Sequence, residues 1–595
     1  METQSKPAIA GKKPAWKEYL IRAGIMAVPV FMLLYTCVFI GPLDIVNANQ
    51  QFLTVTAGEL FWPFLGMTLG GTVVLAALLG LCRGRAFGAV FGVITALAVM
   101  CYIQATVLDG HLATLDGSDF RWQDDAPAAW RNFAIWAAAV VVLGVVGGVF
   151  PQVFRPIGCI LCAALILGQT VALIASWSPA DNDSPNYQLS GEGELSISAN
   201  ENVLVLTLDQ MNPLIFEEVL EMDPSLEETF RDFIYYDNMS ASYSFTFPSL
   251  CFLLTHQHFD TTIPTTEAVY NAWHSEEANQ FYETLHENNY TTRLYVESNY
   301  AAISAENMLG KADNVVEAGR LIPNWDLLES SLWMSFYRYF PTIAKNEFCV
   351  STGQILDTAE FVGVDKVKIN YDFYPMVRDE GLEIAQEENC FQWYHLQGAH
   401  FPFIVDYDGE YLGGKELEET EENRLNQLHG YLVAVSEYIQ QLKDIGAYDD
   451  ATIIVSSDHG YFECFQSAFL IKLPGQSFEA MQVNSAPVAQ EDILPTILYA
   501  IGEDYEWLGT TVFDWNEGDH RVRTTRVWGY MSSYPDVDWV GNVNQWDAEA
   551  NGFNRYNVFG VFNYDGDRDT ILAKERNWYY YGVADEIQTL YDSYY

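Results

Sequence analysis

The chain has 595 residues, of which 50% are hydrophobic and 18% charged, a balance that excludes a disordered protein. Lys and Arg number 30 against 79 Asp and Glu, for a net charge of −49. That charge excludes a nucleic-acid partner, because a phosphate backbone needs a basic face.

The charge is unevenly placed. Residues 1–180 hold 10 basic and 9 acidic residues, whereas residues 181–595 hold 20 and 70. A near-neutral apolar part therefore joins a strongly acidic one. Five apolar stretches fill the first part, at 19–41, 60–81, 86–108, 130–150 and 155–177. Each is close to the roughly 20 residues that cross a bilayer as a helix. The first is too long for a cleaved signal peptide and lacks a small-residue cleavage site. Most of these stretches also lack the polar face of a soluble bundle helix. Basic residues set the expected orientation. Lys6, Lys12, Lys13, Lys17, Arg22, Arg83, Arg85 and Arg155 fall on one side if all five stretches span. The opposite loops, 42–59 and 109–129, carry only Arg121 among several Asp residues. The expectation is a multi-pass cell-membrane protein with a cytoplasmic N-terminus and everything beyond residue 181 outside. The acidity would keep that outer part soluble, or would reflect a salt-rich habitat.

Residues 178–200 are rich in Ser, Asn, Asp, Pro and Gly and read as a linker. Residues 202–208 then form a Val- and Leu-rich run interrupted only by Thr207 after its first residue, the pattern of a strand buried on both faces, ending at Asp209. Residues 391–396 give a short strand followed by Gly398 and His400. Residues 428–444 have helical spacing, and 451–457 form a second buried strand ending at Asp458. Residues 467–474 give a further strand. Strands alternating with helices predict a mostly parallel sheet with helices on both faces. Ligands of such sheets sit beyond the carboxyl ends of the strands, where Asp209, His400 and Asp458 fall. Segments such as RTTRVWGYM, NVFGVFNYDG and ERNWYYYGV near the C-terminus predict short antiparallel strands.

Asp209, Asp458 and His459 form a donor set suited to one divalent cation, Mn, Zn or Mg. Thr246 precedes Phe247-Pro248-Ser249, with a helix expected over 249–254. A hydroxyl ahead of a helix N-terminus sits where an anion is favoured. Beside a metal it becomes a nucleophile. Singly these signals are weak: a strand-end Asp is a common turn residue, and Thr246 reads equally as a helix N-cap. His395 reads as a histidine that is structural or supports a ligand from behind, and Lys472 as a candidate phosphate contact. Outside the spans, Cys251, Cys349, Cys390 and Cys464 allow three full disulfide pairings, among which spacing does not choose.

The ordered motifs, TLD, TFPS, SDHG and EDILPTILYAIG, resemble the alkaline-phosphatase superfamily in its sulfatase-like branch. Sulfatases carry a maturable Cys or Ser where this chain has Thr246, which argues against sulfate-ester hydrolysis. Five spans followed by an outer catalytic domain resemble the lipoteichoic acid synthases and the lipid A phosphoethanolamine transferases. GAHFPF at 398–403 is similar to the NHFPF-type motif of the former, and Asp209 stands where they carry Glu. The resemblance implies an extracytoplasmic α/β/α sandwich and a small C-terminal β-rich subdomain. The boundaries read as an N-terminus at 1–18, spans at 19–177, linker at 178–200, catalytic domain at 201–515 and C-terminal subdomain at 516–595. It also implies one metal held by Asp209, Thr246, Asp458 and His459, with Thr246 as nucleophile. His400 would bind a phosphoryl oxygen or protonate the leaving group. The implied function is transfer of phosphoglycerol or phosphoethanolamine from a membrane phospholipid to an envelope glycan or glycolipid. A phosphodiesterase using the same site is the alternative, and a non-catalytic envelope protein with a degenerate site is a third reading.

Overall fold

The computed structural model describes residues 15–48, 55–109, 122–123, 126–177, 186–260, 263, 265–319, 321–348, 359–413, 417–460, 464, 466–530 and 556–564. It divides into two units, Met1–Ser184 with Arg320–Val362, and Pro185–Gly319 with Gly363–Tyr595.

The first unit contains five helices long and apolar enough to cross a membrane: Trp16–Ala48, Ala57–Leu79, Gly84–Leu108, Ala126–Val149 and Pro151–Ser176. They match the five apolar runs, so the chain is a multi-pass membrane protein. The third and fourth helices pack through small residues. A Cβ on Gly88 would lie 2.2 Å from the Gly147 carbonyl oxygen, and one on Gly92 would lie 2.0 Å from that of Leu143. Bare backbone at these points lets the helices approach closely, as membrane helices do where no hydrophobic drive separates them from lipid. The unit also holds a 15-residue helix, Trp325–Tyr339, from inside the range 201–515.

The second unit is built on a seven-stranded sheet. In chain order the strands are β1 (Asn202–Leu208), β2 (Ile234–Ser240), β3 (Tyr290–Tyr295), β4 (Asn389–Leu396), β5 (Ala451–Ser456), β6 (Gln466–Lys472) and β7 (Gln482–Asn484). Their order across the sheet is β7-β2-β6-β5-β1-β4-β3. Only β6 runs against its neighbours, so the sheet is mostly parallel, as the alternation of strands and helices predicts. Alternate residues of β1 feed two separate cores. Val203 and Val205 pack with the Thr246–Thr255 and Ile493–Ala500 helices on one face. Leu204, Leu206 and Leu208 pack with the Pro213–Met222 and Glu421–Asp444 helices on the other. A strand covered on both faces reads as a near-continuous apolar run, which is what 203–208 shows with Thr207 as its one polar residue.

Residues Asn186–Leu189 and Ser196–Ser198 form short strands, so the described part of the expected linker is folded. Near the C-terminus, Arg523–Tyr530 and Tyr556–Tyr564 pair antiparallel. The segment ERNWYYYGV and Cys349 lie outside the described residues. Cys251 and Cys390 are buried and free.

Candidate active site

β1, β4 and β5 are adjacent, parallel and in register, with Thr207 level with both His395 and Ser456. Side chains alternate along a strand, so Asp209 and Asp458, each two residues farther on, emerge on the face that carries His395. One ligand atom from each of Asp209, His395 and Asp458 lies within 4.8 Å of the others, and all three residues are buried. The next residue, His459, brings Nε2 to 3.4 Å from Asp209 Oδ1 and 3.5 Å from Asp458 Oδ2. Its Nδ1–H donates to the Gly460 carbonyl at 2.5 Å, so in the neutral ring Nε2 is the lone-pair nitrogen. Close approach of the two strand ends needs glycine at 398. Its φ is +54°, and a Cβ there would fall 2.5 Å from the Asp209 carbonyl oxygen.

Thr246 opens the Thr246–Thr255 helix, three residues earlier than expected. Its Oγ1 donates to Asp209 Oδ2 at 3.1 Å and lies 3.3 Å from His459 Nε2. The half-exposed Phe245 ring stacks beside His459, with centroids 6.4 Å apart. The approach to Thr246 is fixed by the C-terminal strand: Arg526 N–H donates to Ser242 O and accepts from Ser244 N–H through its carbonyl. Gln490 ties the two halves of the site together. Its Nε2 donates to the Ser457 and Asp458 carbonyls, and its Oε1 accepts from Ser242 N–H.

Two residues in the site were not read from sequence as site residues. His395, set down there as structural or supporting, donates from Nδ1–H to Glu297 Oε2 at 2.7 Å and turns Nε2 toward Asp458 Oδ2 at 3.7 Å. Glu297 follows β3 and also accepts from Asn370 Nδ2. A carboxylate holding the far nitrogen of a metal-facing imidazole is the usual outer support of such sites. His400 lies half-buried after β4, with Nδ1–H donating to the Phe401 carbonyl.

Lys472 is not at the site. It sits level with Ile453, near the start of β5 at the opposite end of the sheet. Its buried ammonium donates to the Tyr448, Asp449 and Ala451 carbonyls. The expectation of a phosphate contact fails because β6 runs antiparallel to β5 and carries position 472 away from the catalytic edge. His256 caps a helix C-terminus and bonds Leu508 O, while His258 stacks on Phe252.

The residues fit a divalent cation. Asp209 Oδ1, Asp458 Oδ2 and His395 Nε2 are buried and make no hydrogen bond. Orphaned buried atoms of this kind are rare in folded proteins, and here they converge. Without a cation, burial and the Asp458 charge push the Asp209 carboxyl well above its ordinary range. Burial also works against ionisation of Asp458, but His459 and His395 outweigh it and hold that carboxyl low. Burial opposes the charging of His395 too, yet Glu297 and Asp458 raise its pKa well above the ordinary imidazole value. Both shifts favour the protonated forms of Asp209 and His395 in the metal-free chain. Metal binding is expected to release protons, so affinity should rise with pH. Calorimetric titration of Mn in two buffers of different ionisation enthalpy measures that release. Glu297→Gln, which keeps the shape but weakens the support, is expected to lower metal affinity about 10–100-fold. Equilibrium dialysis measures that loss.

No family model matches the chain. Over 149 residues it is 27% identical to lipoteichoic acid synthase of Staphylococcus aureus (strain USA300), a stretch that covers 21% of this chain and 22% of that protein. The same values hold for the protein of strain NCTC 8325 / PS 47. The chain thus spans about a fifth of the length of the curated relatives it matches. Among solved structures, the lipoteichoic acid synthase LtaP from Listeria monocytogenes overlaps 56% of this chain and 79% of its own, at 14% identity and a TM-score of 0.31. The phosphonate monoester hydrolase SpPMH from Silicibacter pomeroyi overlaps 62% and 87%, at 15% identity and a TM-score of 0.34. The sequence match agrees with the resemblance to the lipoteichoic acid synthases drawn from the motifs.

Proposed function

We propose that this chain is a membrane-anchored, metal-dependent transferase acting through a phospho-threonine. It moves a phospho-headgroup, phosphoglycerol or phosphoethanolamine, from a membrane phospholipid to an envelope glycan or glycolipid. One observation carries the reading. The Thr246 hydroxyl lies at a helix N-terminus, 3.1 Å from Asp209 and 3.3 Å from His459, beside three buried ligand atoms without partners. The similarity to lipoteichoic acid synthases supports it.

Asp209, Asp458, His459 and Thr246 would hold the cation, with His395 as a further ligand. When bound, the cation supplies the charge that lowers the Thr246 hydroxyl pKa and offsets the two carboxylates. Thr246 Oγ1 attacks phosphorus, and the bond from phosphorus to the diacylglycerol oxygen breaks. The proton that leaves Thr246 along its hydrogen bond to Asp209 balances the one that diacylglycerol gains. The helix N-terminus favours the anionic phosphoryl group. Burial and the neighbouring His459 lower the His400 pKa, so its ring is neutral at neutral pH. Its Nδ1–H is taken up by Phe401, which leaves Nε2 as an acceptor. In the second step the acceptor oxygen bonds phosphorus, the bond from phosphorus to Thr246 Oγ1 breaks and Oγ1 regains a proton. The His400 arrangement suits deprotonation of that incoming hydroxyl better than protonation of the first leaving group.

The test uses full chain in vesicles of phosphatidylglycerol or phosphatidylethanolamine, with Mn and a glycolipid acceptor. Metal-dependent release of diacylglycerol with the headgroup found on the acceptor supports the transferase. Release with free headgroup phosphate, whatever the acceptor supplied, identifies a hydrolase instead.

A further inference from the structure

Residues 321–348 lie in sequence between β3 and β4 of the sheet, yet fold with the five long helices. Within that unit they meet the ends of four helices. Leu321 N–H donates to Glu59 Oε1 at 3.2 Å, in the first turn of the second helix. Ser335 Oγ donates to the Cys37 carbonyl at 2.6 Å, and Arg338 pairs with Asp44 at 2.6 Å, both in the last part of the first helix. Lys345, fully buried, lies 3.1 Å from Asp109, just past the end of the third. Thr342 N–H donates to Asn132 Oδ1 at 3.1 Å, in the second turn of the fourth. In helices that alternate in direction, these four ends share one side, and the fifth helix also stops there. The fit is close, since a Cβ on Gly41 would lie 1.9 Å from Ser335 Oγ.

Charged groups on this segment's inner side are paired. Much of what faces outward is apolar. Trp325 is 63% exposed and Trp333 39%, and Ile322 is exposed as well. Trp325 and Trp333 are eight residues apart and share one helix face. Leu327, Ser331, Met334 and Ser335 are buried on the other. Trp62 and Trp130, 74% and 56% exposed, lie in the first two turns of the second and fourth helices, at the same end of the bundle. Tryptophan at that level of a spanning bundle is favoured where headgroups meet acyl chains.

We propose that the Trp325–Tyr339 helix is a lipid-facing cap, lying in the headgroup layer on the side where the fifth helix ends, with Trp325 and Trp333 as its anchors. The exposed tryptophans continue the aromatic girdle formed by Trp62 and Trp130, so the occupant of this face is the bilayer. The inference is independent of the reaction assigned to the other unit.

The test places the photo-crosslinking residue p-benzoylphenylalanine singly at positions 325 and 333 of the full chain in native membranes. Position 141, exposed on the fourth spanning helix, is the positive control, and an unilluminated sample of each chain is the negative one. After illumination, phospholipid adducts are expected at 325, 333 and 141. Adducts at 141 without adducts at 325 and 333 would overturn the proposal. Quenching of tryptophan emission by lipids brominated near the headgroup gives a second reading with milder changes. The Trp325→Phe/Trp333→Phe chain is expected to lose part of the quenchable emission, and an unchanged quenchable fraction would contradict the cap.

Discussion

Thr246→Ala is expected to lower diacylglycerol release by about 10³-fold or more, because among the described residues it is the Thr246 hydroxyl that donates to Asp209. The melting temperature should still rise on adding Mn, since Asp209, His395 and Asp458 keep their ligand atoms. The two readouts together separate loss of the nucleophile from loss of the metal site. Thr246→Ser keeps an attacking oxygen at the helix N-terminus and is expected to recover a substantial part of the activity. Equal rates for Thr246→Ala and the parent would mean that phosphorus is attacked by another group.

Asp209→Asn is expected to act in opposite directions on the two forms of the protein. In the metal-free chain, burial and the Asp458 charge hold the Asp209 carboxyl well above its ordinary range. A carboxyl with a raised native pKa contributes full stability below its unfolded value and loses it as pH rises through the folded value. The metal-free parent should therefore lose stability as pH climbs above about 4, where an unfolded Asp ionises. The Asn variant, which never ionises, should escape that loss and melt higher than the parent near pH 7 without metal. With metal present the order should reverse, because the ligand charge is gone and the stabilisation by bound cation falls with its affinity. Melting curves of both chains with chelator and with Mn, at pH 5 and 7, check all four combinations.

Much of this architecture is legible in the sequence, for physical reasons that can be named. A helix crossing lipid must be apolar along its whole length, so the five runs stand out without periodicity analysis. Strand β1 is covered on both faces, so its unbroken run of seven buried residues announces a parallel sheet and points to Asp209 at its end. Asp458 is found the same way at the end of β5. His395 is different. Alternation along β4 says only that it shares a face with Gln397. That this is also the face of Asp209 and Asp458 depends on the register between three strands far apart in sequence. No local pattern carries that information. Glu297 follows the last residue of β3, where the chain has already turned toward a four-residue helix, so neither strand nor helix period marks it. A carboxylate just past a strand end, beside a strand with His as its last residue but one, is the signal that would have found it. Lys472 was misplaced by the opposite error: a basic residue near a strand end is catalytic only if the strand runs the right way. The Trp325–Tyr339 helix is amphipathic and too short to span, so sequence position alone joined it to the sheet domain.

The central claim is that Thr246 becomes covalently phosphorylated by a lipid headgroup. It is tested most directly by the intact mass of the full chain after brief incubation with Mn and phospholipid vesicles lacking an acceptor. The account predicts an added phospho-headgroup on the parent, mapped to the peptide carrying Thr246 and missing from Thr246→Ala. An unmodified mass under conditions in which metal is bound and diacylglycerol is released would contradict it.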